Sequence, residues 1–362
     1  MTLRLLALLV AAPAWAAPPD ARARLAGALD RYERLAPTGW PPVPDGPLVR
    51  PGEADAAQVP ALRARLAAEG ALGAAARTGD ALDGPLADAL RHAQRRLGLD
   101  DDGVIGPRTR AALNVPPADR ARQIRQSLGR VPDVPPSGRF VLVNVAGYRV
   151  RAFEDGREVL AMRAVVGANE EGHRTPLFAD EIEYADFRPF WNIPTSIAVA
   201  ELVPDGPEAL AAAGYQLVRR FSADAEVHPM TAENLQRVVD GHLLMRQAAG
   251  PDNALGLVKY MFPNGHNVYL HDTPAKAYFG RDDRALSHGC VRLADPVAFG
   301  AWLFGPQGWT AADVRAAMDG GDGQRVALDR RVPVVLAYLP AWADDDGAVW
   351  FAGDPYGLLS DG

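Results

Sequence analysis

The sequence predicts an α+β protein in which helical segments precede a β-rich domain. Between two proline-rich stretches, residues 37–47 and 130–138, the chain is rich in Ala, Leu and Arg, with apolar positions at helical spacing. After Gly138 the pattern changes to the alternation that is typical of strands. The 362 residues include 31 prolines and 35 glycines, which favours a mixed fold with many turns over a pure helical bundle.

Residues 1–16 have the pattern of a secretory signal peptide. "MTLR" supplies positive charge, "LLALLVAAPAW" is a short apolar run, and Ala14-Trp15-Ala16 fits a small-x-small cleavage site. A retained membrane anchor is the alternative, but the apolar run is too short to span a bilayer. We therefore expect export to the periplasm, cleavage near Ala16 and no membrane span afterwards. The formal net charge of -7 argues against a nucleic-acid partner.

Residues 17–80 are predicted to form a helical scaffold, followed by a small helical module over 81–116 and a linker over 117–138. In the module, four apolar positions fall on one helical face. They are Leu86, Leu90, Ala93 and Leu97. Gly98 is placed to end this helix, and Pro107 to begin the next.

Residues 139–362 are predicted to form the β-rich domain. "RFVLVNV" and "YRVRAFEDGREVLAMRAVVG" alternate, and Asp155-Gly156 lies where a hairpin turn is expected. From about 195 to 256 the pattern becomes helical and irregular before strands return. Because structureless loops of that length are uncommon, we expect a helical capping insertion that acts as a lid over a binding cleft.

Cys290 is the only cysteine of the chain, and it directly follows Ser287-His288-Gly289. A buried core cysteine is the plain alternative, but a thiol beside histidines points to a nucleophile, because a base is needed to form the thiolate near neutral pH. His288 lies two residues before Cys290, and His271 follows the predicted strand "NVYL". Tyr269 is expected to share the face of His271.

Gly289 is expected to let the backbone adopt unusual angles, so that the amides of His288, Gly289 and Cys290 converge on a developing oxyanion. A second interpretation makes His271, Asp272, His288 and Cys290 zinc ligands. We favour it less, because no paired metal-binding motif occurs in the sequence. No metal and no cofactor are therefore expected.

The spacing around the cysteine resembles a known family. His271, fifteen intervening residues, then Ser287-His288-Gly289-Cys290 and a hydrophobic Val291 resemble the L,D-transpeptidases of the YkuD type. "PFWNIP" and "RAVVGANEEGHRTPLF" are similar to further segments of that family, and "YLHDTP", "RALSHGCVR" and "YLPAWADDDG" to its long periplasmic branch. "LADALRHAQRRLGLDDDGVIGPRTRAALN" resembles the small peptidoglycan-binding module of cell-wall enzymes.

The resemblance implies that Cys290 is the acyl-accepting nucleophile, that His271 is its base, and that the backbone carbonyl of Asp272 orients His271. Ser287 and His288 would shape the loop. The family pattern has Asn two residues after the cysteine, whereas this chain has Arg292.

Arg292 either pairs with a substrate carboxylate or forms a structural ion pair with Asp295 or Asp283. Trp191 either lines the cleft or packs. We count Tyr269, Arg292 and Trp191 as candidate substrate-binding residues.

The implied function is that of an exported cysteine L,D-transpeptidase that takes an acyl group from a peptidoglycan tetrapeptide stem, releases D-alanine, and joins the third-position residues of two stems. Three alternatives remain open. They are an L,D-carboxypeptidase of the same fold, an enzyme that attaches a lipoprotein to peptidoglycan, and a non-catalytic wall-binding protein. We expect peptidoglycan stem peptides as partners and a monomer.

Overall fold

A computed structural model describes residues 19–73, 78–134, 137–321, 323–344 and 346–359. The predicted signal peptide, residues 1–16, lies outside the described residues. No helix within these ranges combines the length and the apolar character that crossing a membrane requires. The chain divides into two compact units. The first comprises Met1–Leu142, Ala152–Val159 and Ala337–Gly362, and the second Val143–Arg151 and Leu160–Leu336.

The predicted α+β class is confirmed by the order of the elements. The helices are α1 (Pro19–Leu35), α2 (Gln58–Ala68), α3 (Gly84–Arg96), α4 (Pro107–Leu113), α5 (Pro117–Leu128), α6 (Thr195–Ile197), α7 (Gly206–Ala212), α8 (Ala232–Val239), α9 (Pro296–Phe304) and α10 (Ala311–Asp319). The strands are β1 (Arg139–Asn144), β2 (Arg149–Glu154), β3 (Arg157–Gly167), β4 (Ala179–Phe187), β5 (Trp191–Asn192), β6 (Tyr215–Val218), β7 (Leu244–Gln247), β8 (Val258–Met261), β9 (Leu270–His271), β10 (Ala285–Ser287), β11 (Val291–Leu293), β12 (Gln324–Ala337), β13 (Ala341–Ala343) and β14 (Val349–Phe351). A π-helical turn spans Ala198–Leu202, and 3-10 turns span Val203–Asp205, Lys276–Gly280 and Gly305–Gln307.

In the first unit, the apolar face of α3 is buried where the spacing predicts it. It shares a core with α2, and the buried members of that core include Val59, Leu62, Leu66, Leu86, Leu90, Ile105 and Leu113. The side chain of Asp83 accepts a hydrogen bond from the amide of Leu86 at 3.0 Å, which caps α3 at its start. Helix α2 therefore packs with the helices of the predicted module, although it precedes residue 81.

Residues 117–138, predicted to be a linker, begin with the helix α5. Pro117 occupies the first position of α5, where a missing backbone N–H costs nothing. Ala121 and Ile124 are buried in one apolar cluster with Leu25 and Tyr32 of α1. The packing of α5 against α1 stabilises this helix.

In the second unit, the sheet has the strand order β10-β3-β11-β9-β8-β4-β12. Strand β11 runs parallel to β9 and antiparallel to β3. Both β9 and β11 are short and internal, so side chains at or near their ends are held by neighbours on two sides. The histidine His271 ends β9, and Cys290 directly precedes β11.

The insertion at about 195–256 contains helices α6 to α8, as predicted, but it also contains strands. Strands β6 and β7 of the insertion form a separate three-stranded sheet with β5, which precedes it, in the order β5-β7-β6. The cluster beneath this sheet consists of Ile193, Ala198, Leu210, Leu217, Leu235, Val238, Leu243 and Met245. Strands of two to four residues are too short to show a period of two in the sequence, which explains why the helical pattern alone was visible.

Candidate active site

Strand pairing brings the region of Cys290 beside that of His271. In the parallel ladder of β9 and β11, Leu270 lies opposite Val291 and His271 opposite Arg292. The amide of Val291 donates to the carbonyl of Tyr269 at 3.1 Å. Because Cys290 immediately precedes this ladder, it lies level with Tyr269 on the strand next to that of His271.

His271 is almost completely buried, with 3% of its surface exposed. Its Nδ1 lies 2.5 Å from the carbonyl oxygen of Asp272. A carbonyl can only accept, so Nδ1 carries the proton and the lone pair lies on Nε2. Burial, with the nearby charge of Arg292, lowers the pKa of His271 to about 3, while the carbonyls of Asp272 and Leu255 act in the opposite direction. The ring is therefore a neutral base at physiological pH.

The carboxylate of Asp272 is fixed from two sides. Its Oδ2 accepts from the amide of Leu257 at 2.9 Å, and its Oδ1 accepts from Nζ of Lys276 at 2.5 Å. Gly256 permits this arrangement, since it has a φ of +62° and a Cβ there would lie 2.3 Å from Oδ2. Fixing the carboxylate holds the backbone carbonyl that orients His271. The sequence did not indicate these hydrogen-bond partners of the Asp272 carboxylate.

Cys290 is half-buried, and its Sγ lies 3.7 Å from the carbonyl oxygen of Asn267. Burial raises the pKa of the Cys290 thiol to about 11, while the amide and the hydroxyl of Tyr269, as hydrogen-bond donors to the sulfur, act to lower it. Burial and the neighbouring Cys290 raise the pKa of the Tyr269 phenol well above its usual value. At neutral pH the free site therefore holds a neutral thiol and a neutral imidazole.

The Ser287–Cys290 turn is closed by its own side chain. Ser287 Oγ donates to the carbonyl of Cys290 at 2.6 Å and accepts from the amide of Gly289 at 3.1 Å. Gly289 has a φ of +113°, which a side chain would disfavour. The expected three-amide oxyanion site needs correction, because the Gly289 amide is already bonded to Ser287. The amides of His288 and Cys290 remain the candidates.

Thr175 is a supporting residue that the sequence did not single out. Its Oγ1 donates to the carbonyl of Gly289 at 2.8 Å and accepts from the amide of Gly167 at 2.8 Å. A Cβ at Gly167 would lie 1.9 Å from the carbonyl oxygen of His173, so the close approach of this loop requires glycine there. A threonine in "HRTPLF" has no local pattern that could have revealed this role.

His288 contacts the capping insertion through its side chain. Its Nε2 lies 2.8 Å from Oε1 of Glu201, and its ring lies edge-to-face with that of His173 at 4.6 Å between centroids. Within the described ranges, these three residues are the only group of three or more potential ligands that converge as a metal site would require. The other zinc set that the sequence suggested, His271, Asp272, His288 and Cys290, does not converge in this way.

Arg292 forms neither of the two ion pairs considered for it, as far as the described residues show. Asp283 accepts from the hydroxyl of Tyr148 at 2.7 Å, and Asp295 caps α9 by accepting from the amide of Ala298 at 2.8 Å. The guanidinium lies 5.7 Å from the ring centroid of Tyr278, and its buried Nε has no hydrogen-bond partner. A structural ion pair is thus removed as the explanation of Arg292.

The two aromatic candidates lie in different surroundings. The ring of Tyr269 is edge-to-face with His271 at 5.7 Å, beside the thiol. Trp191 lies on β5, packs against the apolar cluster of the insertion and contacts the ring of Tyr215 at 6.5 Å. A contribution of Trp191 to substrate binding stays a prediction.

Comparison with known proteins agrees with the resemblance. The family "L,D-transpeptidase catalytic domain" matches residues 138–305, and the family "Putative peptidoglycan binding domain" matches residues 55–113. The second match includes α2 and so begins before the expected residue 81. A curated relative from Haemophilus influenzae, named "Putative L,D-transpeptidase", is 28% identical over 240 residues, which are 64% of this chain and 48% of the relative. The chain thus spans about half the length of that relative.

Solved structures of L,D-transpeptidases are also similar. That from Stackebrandtia nassauensis is 16% identical, with coverage of 85% of this chain and 99% of the other, and a TM-score of 0.31. Residues 123–326 of the L,D-transpeptidase from Xylanimonas cellulosilytica are 17% identical, with coverage of 81% of this chain and 99% of the other, and a TM-score of 0.26. L,D-transpeptidase 3 from Mycobacterium tuberculosis, in complex with a faropenem-derived adduct, is 13% identical, with coverage of 55% of this chain and 60% of the other, and a TM-score of 0.26.

The motif around Cys290, the β-rich domain that holds it and the two family matches lead to the same conclusion. Residues 138–305 are similar to the L,D-transpeptidase catalytic domain, and residues 55–113 are similar to a peptidoglycan-binding domain.

Proposed function

We propose that the protein is an exported cysteine L,D-transpeptidase that cross-links peptidoglycan stems in the periplasm. The observation that carries this proposal is the placement of the Cys290 thiol and of the oriented, neutral His271 imidazole at the neighbouring strands β11 and β9. The match to a peptidoglycan-binding family supports a wall substrate. The cysteine nucleophile, the acceptor and the export are parts of the proposal.

In the acylation step, Sγ of Cys290 attacks the carbonyl carbon between the third residue of a tetrapeptide stem and its terminal D-alanine. The thiol proton passes to Nε2 of His271, and the oxyanion faces the amides of His288 and Cys290. When the C–N bond breaks, His271 returns the proton to the departing amine. A thioester between Cys290 and the shortened stem remains, and D-alanine leaves.

In the second step, the side-chain amine of a diamino acid on another stem attacks the thioester carbonyl. His271 takes a proton from that amine and returns one to the sulfur as the C–S bond breaks. The products are an amide that joins two third-position residues and the free thiol of Cys290. Division into two acyl transfers avoids one difficult direct exchange.

The shifted pKa values determine when the proton moves. A preformed thiolate–imidazolium pair is disfavoured, because burial lowers the pKa of His271 and raises that of Cys290. Proton transfer therefore accompanies the attack on the carbonyl. The carbonyl of Asp272 then stabilises the imidazolium through its hydrogen bond with Nδ1, in place of the carboxylate of a conventional triad.

Arg292 is the candidate for recognising a carboxylate of the donor stem. Its guanidinium is partly buried near the site, and its Nε has no hydrogen-bond partner. A buried unpaired donor is costly, and a carboxylate would satisfy it. We expect Arg292→Lys to raise KM for the donor more than it lowers kcat, because a lysine keeps the charge but not the fork geometry.

The test uses the purified chain with tetrapeptide muropeptides, followed by mass spectrometry of the products. Dimers linked through third-position residues support the proposal, tripeptides alone would instead identify a carboxypeptidase, and no product would leave a wall-binding protein. Cys290→Ala and His271→Ala should both abolish dimers, whereas His242→Ala is the control, since His242 is an exposed histidine of the insertion. Dimers formed by Cys290→Ala would refute the mechanism.

A further inference from the structure

A cluster of two imidazoles and one carboxylate lies beside the candidate active site without taking part in the proposed chemistry. It consists of His173, Glu201 and His288, and one ligand atom from each lies within 4.8 Å of the others. His173 belongs to the loop after β3, Glu201 to the π-helical turn of the insertion, and His288 to the turn that carries Cys290. We call this group the His-Glu-His cluster.

The donor types of the His-Glu-His cluster are those that zinc prefers. Two imidazole nitrogens and a carboxylate oxygen form a common three-ligand zinc set, which leaves a fourth position for water. In a tetrahedral site with metal–ligand distances of about 2.0–2.1 Å, neighbouring ligand atoms are roughly 3.4 Å apart. The His288–Glu201 contact is 2.8 Å, so side-chain adjustments of about an ångström would admit the ion.

A simple ion pair between His288 and Glu201 is the alternative interpretation, and it leaves the second imidazole unexplained. His173 lies edge-to-face with His288, and its own Nδ1 lies 3.3 Å from Oε2 of Glu170. A carboxylate on the second nitrogen of a histidine is the usual support of a metal-bound imidazole. Glu170 therefore supplies the orientation that a ligand His173 would require.

We propose that His173, Glu201 and His288 bind a divalent transition-metal ion of the zinc class, at a site separate from the thiol of Cys290. The ion would join the π-helical turn of the insertion to the turn before Cys290, so that its binding restrains the insertion. Metal binding itself does not depend on the proposed transpeptidase function.

The test measures zinc binding to the full chain in a Cys290→Ala background, because that change removes the thiol, which could itself bind zinc. Isothermal titration with zinc chloride should give one zinc per chain. His173→Ala and Glu201→Gln should each weaken the zinc Kd by about tenfold or more, since losing a direct ligand costs at least as much as losing its support. Circular dichroism checks that each variant is folded.

Matched controls are His242→Ala and Glu208→Gln, which change an exposed histidine and an exposed glutamate of the same insertion. Both should keep the zinc Kd of the background protein. Hydrogen exchange adds an independent measurement: zinc should slow exchange in peptides that cover 198–205 and 285–290, and Glu201→Gln should remove that protection. The proposal would be overturned if His173→Ala and Glu201→Gln bound zinc as tightly as the background protein, or if the background protein bound no stoichiometric zinc.

Discussion

The thiol of Cys290 should react slowly with a small alkylating reagent, although it is proposed to be a catalytic nucleophile. Burial raises its pKa to about 11, and no preformed ion pair with His271 offsets this, because the pKa of His271 is lowered to about 3. Iodoacetamide reacts with the thiolate and not with the thiol. The alkylation rate should therefore continue to rise with pH well beyond the range in which an ordinary cysteine reaches its plateau.

The magnitude follows from the fraction of thiolate. At pH 8 a thiol with a pKa of about 8.5 is roughly one quarter ionised, whereas one with a pKa of about 11 is ionised to about one part in a thousand. The more basic thiolate is also more nucleophilic, and a Brønsted coefficient of about 0.4–0.5 returns roughly tenfold. The net expectation for Cys290 is a rate about twentyfold below that of a free cysteine peptide.

The assay is intact-mass spectrometry of the protein incubated with iodoacetamide between pH 6 and 10. One added group per chain reports on Cys290 alone, since the chain has no other cysteine. Tyr269→Phe should slow the reaction further, because the Tyr269 hydroxyl acts to lower the pKa of the thiol. A plateau reached below pH 8, or a rate equal to that of the free peptide, would show a preformed thiolate and refute this reasoning.

Three further outcomes are expected. A carbapenem-type β-lactam, whose strained carbonyl mimics the donor, should form one adduct on Cys290. In His271→Ala the adduct should form slowly near neutral pH, and its rate of formation should partly recover at alkaline pH. A rate that does not change with pH in this variant would contradict the role of His271 as the base. The free energy of unfolding, measured in urea, should fall by up to about 1.4 kcal/mol per pH unit as the pH drops from about 6.5 towards 3. The reason is that His271 is protonated in the unfolded chain over this range but stays neutral in the folded one. His271→Gln should reduce this pH dependence, and the same dependence in both proteins would contradict the assignment. Gly167→Ala should cost about 3 kcal/mol or more in thermal unfolding, because its Cβ would meet the carbonyl of His173 at 1.9 Å, whereas Gly27→Ala, in α1 with open space around it, should stabilise; a Gly167→Ala protein as stable as the parent would show that the loop can move.

The α+β class and the core of the site could be predicted because they depend on residues close together in the chain. Periodicity over ten or more residues predicted α3 and the first strands, and the Ser287–Cys290 turn is contiguous. The family resemblance paired His271 with this turn, which spacing alone left open, and that pairing stays a prediction. The shortest strands, such as β6 and β7, could not be predicted in this way, because four residues are too few to show a periodic pattern.

Only the tertiary structure decided which distant residues complete the site. Thr175 bonds Gly289 across 114 positions in the sequence, and Glu201 reaches His288 across 87. The tertiary structure also shows that the Gly289 amide donates to Ser287 and that Arg292 forms neither of the ion pairs considered for it. It places the helix α5 within the predicted linker. These contacts depend on how strands and loops pack, and their partners carry no local pattern. The sequence by itself determined which groups could do the chemistry, and the packing of the sheet and the insertion decided which of them meet.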